Sequence, residues 1–199
     1  MIKYKGQQKS RSLSRDQYLN ILSDLKARKQ LKVHAIVLLM TNKCMRISDV
    51  LNLKLNQLYY ANGDLRPELV YKNQKQSKKM IIPLHDKKNE SYFKTSLETF
   101  FYLVADQKPD DYLFQGLKTP KLNRSSIRQI LSKYLHAWGI EQLSFHSFRK
   151  TGCKMMYDTG NVPIETIQHL LQHSDPSITR VYLDISRKDV SKAVFSIDM

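Results

Sequence analysis

The run Leu170-Leu-Gln-His173-Ser-Asp-Pro176-Ser-Ile-Thr-Arg-Val-Tyr182 decides how this chain is read. Leu170 and Leu171 anchor a short helix running from Pro163 to Leu171, and His173 falls in the turn that follows. Pro176 restarts the chain as a second helix, to Ile185, because proline is tolerated in a first turn where its missing N–H costs nothing. That second helix carries Tyr182, nine positions after His173. A tyrosine hydroxyl, with an ordinary pKa near 10, attacks poorly unless cations stabilise the developing phenolate. Among eleven tyrosines, Tyr182 between Val181 and Leu183 reads equally well as a core aromatic with a satisfied hydroxyl.

Outward from this run the cations appear. His146-Ser-Phe-Arg149 opens a helix that continues to Asp158 and is closed by Gly160. Residues i and i+3 share a helix face, so the imidazole and the guanidinium can reach one group. The planar arginine fork matches two phosphate oxygens. Taken alone, the pair is also a surface histidine beside a salt-bridged arginine. Further upstream lies Thr41-Asn-Lys-Cys-Met-Arg46-Ile-Ser-Asp49-Val-Leu-Asn-Leu53. Arg46 follows a nearly all-apolar helix, Val33 to Met40, and begins another, Ile47 to Leu53. Asp49 stands three residues on, placed either to hold that guanidinium by hydrogen bonds or to form a local ion pair worth a few tenths of a kcal/mol.

The remaining segments supply a frame. Ser14 and Gln17 form a capping box before Tyr18, Ile21, Leu22 and Leu25 at helical spacing. Three apolar runs, Leu58 to Tyr60, Leu69 to Tyr71 and Met80 to Leu84, are separated by Asn62-Gly63 and a lysine-rich turn, which predicts a small antiparallel three-stranded sheet. Helical spacing returns from Phe93 to Val104. Asn123 opens another helix, with Ile127, Ile130, Leu131, Tyr134, Leu135 and Trp138 on its core face. The expected fold class is α+β, mainly helical, with one domain over residues 13–186. A basic flexible arm at 1–12 precedes it and an amphipathic segment at 187–199 follows.

The 199 residues suffice for one sizeable core or two small ones, and 41% hydrophobic with 26% charged residues is a globular composition. The net charge of +15 attracts a polyanion, although a ribosomal-type or merely basic protein would carry the same charge. Cys44 and Cys153 lack any CxxC or Cys/His spacing, so no zinc site or disulfide framework is indicated. They read as reduced thiols of a cytosolic protein. The start Met1-Ile-Lys-Tyr-Lys has no apolar signal core. The longest apolar run, six residues from Ala35 to Met40, cannot span a bilayer.

In combination these boxes resemble the tyrosine recombinase, or phage integrase, family. The family's T-G-L-R-I-S-E-L-L-N-L box corresponds to Cys44-Met-Arg46-Ile-Ser-Asp49-Val-Leu-Asn-Leu53, and its H-x-L-R-H box to His146-Ser-Phe-Arg149-Lys150. Its L-L-G-H-S-S element with a following tyrosine corresponds to Leu170-Leu-Gln-His173-Ser and Tyr182. A hairpin lysine eight residues before a proline selects Lys75, before Pro83, with Lys72, Lys78 and Lys79 as neighbouring competitors. The resemblance covers about residues 13–186. Cys44 and Gln172 replace the usual glycines, and Lys150 stands where histidine is common. Most of the family carries an N-terminal helical clamp that is not seen here, so the resemblance leaves open an excised catalytic domain or a short recombinase.

The resemblance implies a tyrosine recombinase catalytic domain that cuts and rejoins DNA without ATP, metal or cofactor. Tyr182 would attack the scissile phosphate to form a 3′-phosphotyrosyl link. Arg46 and Arg149 would clamp nonbridging oxygens, and Lys75 would protonate the leaving 5′ oxygen. His146 would shuttle the tyrosine proton, His173 would donate to phosphate, and Asp49 would support the site from behind. Double-stranded DNA is the expected partner, bound by a homotetramer on paired sites that is a monomer when free and exchanges residues 187–199 between protomers. The setting implied is the cytoplasm of a prokaryotic cell, at the nucleoid. Lys72, Lys78, Lys79, Lys121, Arg124 and Arg128, with the Lys3 to Arg15 arm, are candidate DNA contacts or simply solvated surface. The alternatives are a type IB topoisomerase-like enzyme, a catalytically silent DNA-binding regulator and, more weakly, a nuclease.

Overall fold

Helix α2 (Leu31–Asn42) is apolar on every side and lies at the centre, buried from Val33 to Thr41. The computed structural model describes residues 11–86 and 90–183; the expected arm, apart from Arg11 and Ser12, and the expected exchanged segment at 187–199 lie outside them. Around α2 pack α1 (Arg15–Ala27), α5 (Tyr92–Phe101) and α7 (Phe145–Asp158). The α1 start is the capping box that Ser14 and Gln17 predict: Ser14 Oγ accepts the Gln17 N–H at 3.1 Å and Gln17 Oε1 accepts the Ser14 N–H at 3.0 Å. It buries Tyr18, Ile21, Leu22 and Leu25, whose removal from water stabilises the fold by roughly 1.5–3 kcal/mol per side chain. Helix α7 approaches the end of α2 so closely that a Cβ at Gly152 would lie 1.8 Å from the Thr41 carbonyl oxygen. Only glycine fits there.

Two short helices, α3 (Ile47–Leu51) and α4 (Leu55–Leu58), lead into a hairpin of β1 (Glu68–Lys72) and β2 (Lys79–Pro83). The strands are antiparallel, with Val70 opposite Ile81 and Lys72 opposite Lys79. The sheet has two strands among the described residues, not the expected three. Leu58 ends α4, and Tyr59 makes only an isolated bridge to Leu65. The run begins inside a helical turn instead, because Leu55 and Leu58, three residues apart, share the face that docks in the core. Gln57 Nε2 also donates to the Val70 carbonyl, occupying part of the β1 edge.

Helix α6 (Arg124–Ser132) is capped by Asn123, whose side chain accepts the Ser126 N–H. It stops short of Trp138: tight turns follow, ending at Gly139 with φ +63°. Last come α8 (Ile164–Leu171) and α9 (Pro176–Tyr182). These two pack over a satellite cluster of Cys44, Cys153, Ile167, Leu171 and Leu183, separate from the main core. No described helix is long and apolar enough to cross a membrane.

Candidate active site

Arg46 caps α3 in an extended conformation, φ −76° and ψ 146°. The chain reaches it through Cys44, which holds a left-handed φ of 48° at a position where glycine would be unstrained. Arg149 projects from the second turn of α7 and is only 5% exposed. The two guanidiniums meet on one oxygen. Arg46 Nη2 donates to the Leu171 carbonyl at 3.2 Å, and Arg149 Nη2 donates to the same carbonyl at 3.1 Å. That carbonyl lies at the C-terminus of α8, where the helix carries partial negative charge. Arg46 Nη1 also donates to Gln172 Oε1 at 3.3 Å, while Arg149 Nε is buried with no partner among the described residues. Both cations are thus held by neutral oxygens, which leaves their charge available to an anion. Burial, and then the neighbouring Arg149, pull Arg46 below its ordinary pKa, and Asp49 opposes this.

The hairpin brings a third cation. Asn73 ties the β1–β2 turn together: its N–H donates to the Lys78 carbonyl and its Oδ1 accepts the Gln76 N–H. Two bonds then fix this turn to the arginines' supports. Asp49 Oδ1 accepts the Gln74 N–H at 2.9 Å, and Asn73 Nδ2 donates to Gln172 Oε1. Asp49 therefore hydrogen-bonds the hairpin rather than the Arg46 guanidinium that sequence spacing offered it. It reaches Arg46 through charge alone. Lys75 ends up on the wall of a cleft of about 360 Å³, together with Arg46, Arg149, His146 and Arg124. Lys78 and Lys79 line a different groove, which Gln172 and the candidate His173 also line, and Lys72 is exposed at the end of β1. Of the four competing lysines, the fold puts Lys75 with the arginines.

His146 is the second residue of α7 and opens on the cleft. Partial burial, and then Arg149, Arg124 and Arg46, lower its pKa. His173 Nδ1 shares a hydrogen bond of 3.0 Å with the Thr179 hydroxyl, which is fully buried on α9. Burial first, and the Arg149, Arg46 and Lys75 charges next, bring its pKa down to about 4, so its imidazole is neutral at pH 7. The ring of Tyr182 stands edge-on to His173, centroids 5.5 Å apart and planes at 77°. The Tyr182 hydroxyl does not line the cleft. It is buried beside the satellite cluster of Cys44 and Cys153, without a hydrogen-bond partner among the described residues. That burial raises its pKa, and the Arg149 charge works against the rise.

The remaining candidates divide. Arg124 lines the cleft with its guanidinium 5.6 Å over the Phe145 ring, and Arg128 is exposed one turn further along α6. Lys121 is turned elsewhere, donating to Asn52 Oδ1 at 3.0 Å and lying 5.1 Å over Tyr112. Among the described residues no group of three His, Cys, Asp or Glu side chains converges to hold a metal. Asn73, Thr179 and the side chain of Gln172 join the site only in the folded chain. The one signal available was Gln172 itself, standing where the resembled family has glycine.

The sequence matches the phage integrase family over residues 11–189. A probable integrase/recombinase, YoeC of Bacillus subtilis, is 31% identical over 157 residues, covering 78% of each chain. Tyrosine recombinase XerC of Caldanaerobacter subterraneus is 27% identical over 166 residues, which are 81% of this chain and 43% of that protein. Among solved structures, XerA recombinase superposes with a TM-score of 0.72 at 17% identity, over 98% of this chain and 66% of its own. A lambda integrase tetramer bound to a Holliday junction gives 0.67 at 15% identity, over 92% of this chain and 50% of its own. At these identities the structural likenesses establish the fold.

Proposed function

Because the chain belongs to the phage integrase family, we propose that it is the catalytic part of a site-specific recombinase that cuts and rejoins DNA through a 3′-phosphotyrosine. The observation that carries this reading is the meeting of Arg46 and Arg149 on the Leu171 carbonyl, with Lys75 and His146 on the same cleft. Two guanidiniums held by a neutral oxygen keep their charge for a phosphodiester, whose nonbridging oxygens would take the guanidinium N–H donors left free on the cleft side. In the transition state those nonbridging oxygens carry more negative charge, which the two guanidiniums stabilise.

The chemistry then balances without a metal. Tyr182 Oη forms a bond to phosphorus as the bond to the 5′ oxygen breaks, and Lys75 supplies the proton that oxygen takes up. The tyrosine proton passes to a neutral imidazole, for which His146 on the cleft is suited by its lowered pKa. His173, neutral and oriented by Thr179, offers its other ring nitrogen to the phosphate. Tyr182 must first leave the satellite pocket, since its buried hydroxyl sits off the cleft and is held protonated there. A 5′ hydroxyl from a second duplex reverses the step and completes exchange, in a tetramer on paired double-stranded sites.

The test is covalent capture. The protein is mixed with nicked duplexes from DNA flanking its own gene, denatured, and examined for DNA joined to protein, with Tyr182→Phe as control. An adduct that needs Tyr182 supports the reading. Tight binding without an adduct overturns it in favour of a silent DNA-binding regulator, a reading that the buried Tyr182 hydroxyl would also suit. A two-duplex exchange assay then separates a recombinase from a topoisomerase-like enzyme.

A further inference from the structure

Gln172 joins the Arg46 guanidinium to the lysine hairpin through a single side-chain atom. Its backbone ends α8 in the left-handed region, φ 57° and ψ 41°. A residue with a Cβ is strained in that region, and glycine is not. The strain coincides with two side-chain bonds that glycine could not make. Gln172 Oε1 accepts from Arg46 Nη1 on one side and from Asn73 Nδ2 on the other. Asn73 is 1% exposed, and its own backbone and Oδ1 close the turn that holds Lys75. The carbonyl just before Gln172 is the shared acceptor of both guanidiniums.

We infer that Gln172 is a positioning residue: its side-chain amide fixes the Arg46 guanidinium against the Lys75 hairpin, so that the phosphate clamp and the proton donor are set relative to one another. This rests on, and deepens, the reading of the cleft as a phosphotransfer site. The amide oxygen is neutral, so it orders Arg46 without neutralising it, which a carboxylate in the same place would do. Asn73 joins this unit through its Nδ2, while its Oδ1 separately closes the lysine turn.

A purely structural role and a positioning role predict opposite results for Gln172→Gly. Glycine relieves the left-handed backbone, so the melting temperature of the full chain should stay equal or rise. Loss of the amide should release Arg46: the rotation of its guanidinium, read by nitrogen NMR of the free protein, should speed up. Single-turnover adduct formation should fall by about tenfold to 100-fold, as expected for a misplaced catalytic group. Asn73→Ala should also slow cleavage, and Gln172→Gly should cost less on that background than in wild type, because partners in one hydrogen-bond network are not additive. Unchanged Arg46 rotation, an unchanged cleavage rate, a parallel fall in stability and rate, or rate losses that multiply would each overturn the inference. The NMR arm needs no cleavage. If wild type forms no adduct while Gln172→Gly still frees Arg46, the phosphotyrosine reading fails and the positioning of Arg46 stands.

Discussion

Replacing Arg149 removes more than one charge. Its buried guanidinium shares the Leu171 carbonyl with Arg46, and its charge helps to lower the pKa of His146 and of His173. Arg149→Lys keeps a cation but loses the fork, since a single ammonium cannot donate along two directions in one plane. Adduct formation should therefore fall by roughly 100-fold to 1,000-fold, with the fold retained by circular dichroism; cleavage within a few-fold of wild type would contradict the clamp. The histidines predict a pH dependence as well. Both His34, buried against the Tyr92 hydroxyl, and His173 are pushed down to about 4, below the ordinary 6.5. Between those values the unfolded chain binds protons that the folded one refuses. Their contribution to stability is therefore complete above about pH 6.5 and is lost as pH falls toward 4. Melting temperature should drop across that interval, and the slope should shrink in His34→Gln. The Arg46 and His146 side of the candidate site was legible because the boxes, taken together and in order, resemble those of the family, whereas each alone fitted ordinary surface as well. Gln172 and Asn73 were not legible, because their bond spans 99 residues and only the folded chain brings them together.

At the scale of elements, legibility followed locality. The α1 cap was readable because donor and acceptor are three residues apart and nothing distant competes. The Leu58 to Tyr60 run was not, because a short apolar stretch fits a strand or a buried helical turn alike. Its fate was decided by Leu55 and Leu58 docking in the core. The helix expected from Asn123 to Trp138 ended early because its last aromatic found a partner outside it: Trp138 Nε1 donates to Asp24 Oδ2 at 3.1 Å. The crossing of α2 and α7 yields a sharp expectation. Gly152→Ala puts a methyl into the Thr41 carbonyl and should cost about 1–3 kcal/mol in denaturant unfolding as the helices separate. Since α7 carries His146 and Arg149, cleavage should fall with it. A variant as stable as wild type would mean the crossing relaxes freely.

At the scale of the molecule, charge and cores set behaviour. With a net +15, DNA binding should be dominated by counterion release; raising salt from 50 to 200 mM should weaken it by about 1,000-fold if some six phosphates are neutralised. A flat salt dependence would remove the electrostatic basis of the proposed partner. The two cores should also differ in persistence. Helices α8 and α9 rest on the small Cys44–Cys153–Ile167 cluster, whereas α2 is enclosed by the main one. Amides of α9 should therefore exchange with deuterium well before those of α2, as elements with few buried contacts do. Equal protection would leave no route for Tyr182 to reach the cleft.

The oxygen on which both arginines converge belongs to the main chain at Leu171. A peptide carbonyl has no codon. Every side chain of the cleft can be deleted by a point mutation, but this acceptor persists whatever residue occupies the position. An alanine scan would score Leu171 as packing and pass over the atom that gathers the two cations. Removing it would take chemical synthesis, an ester in place of an amide, or a change that shifts the end of α8. The anchor of the clamp is therefore inherited with the shape of the helix rather than with its letters, and a lineage could rewrite much of α8 without losing it.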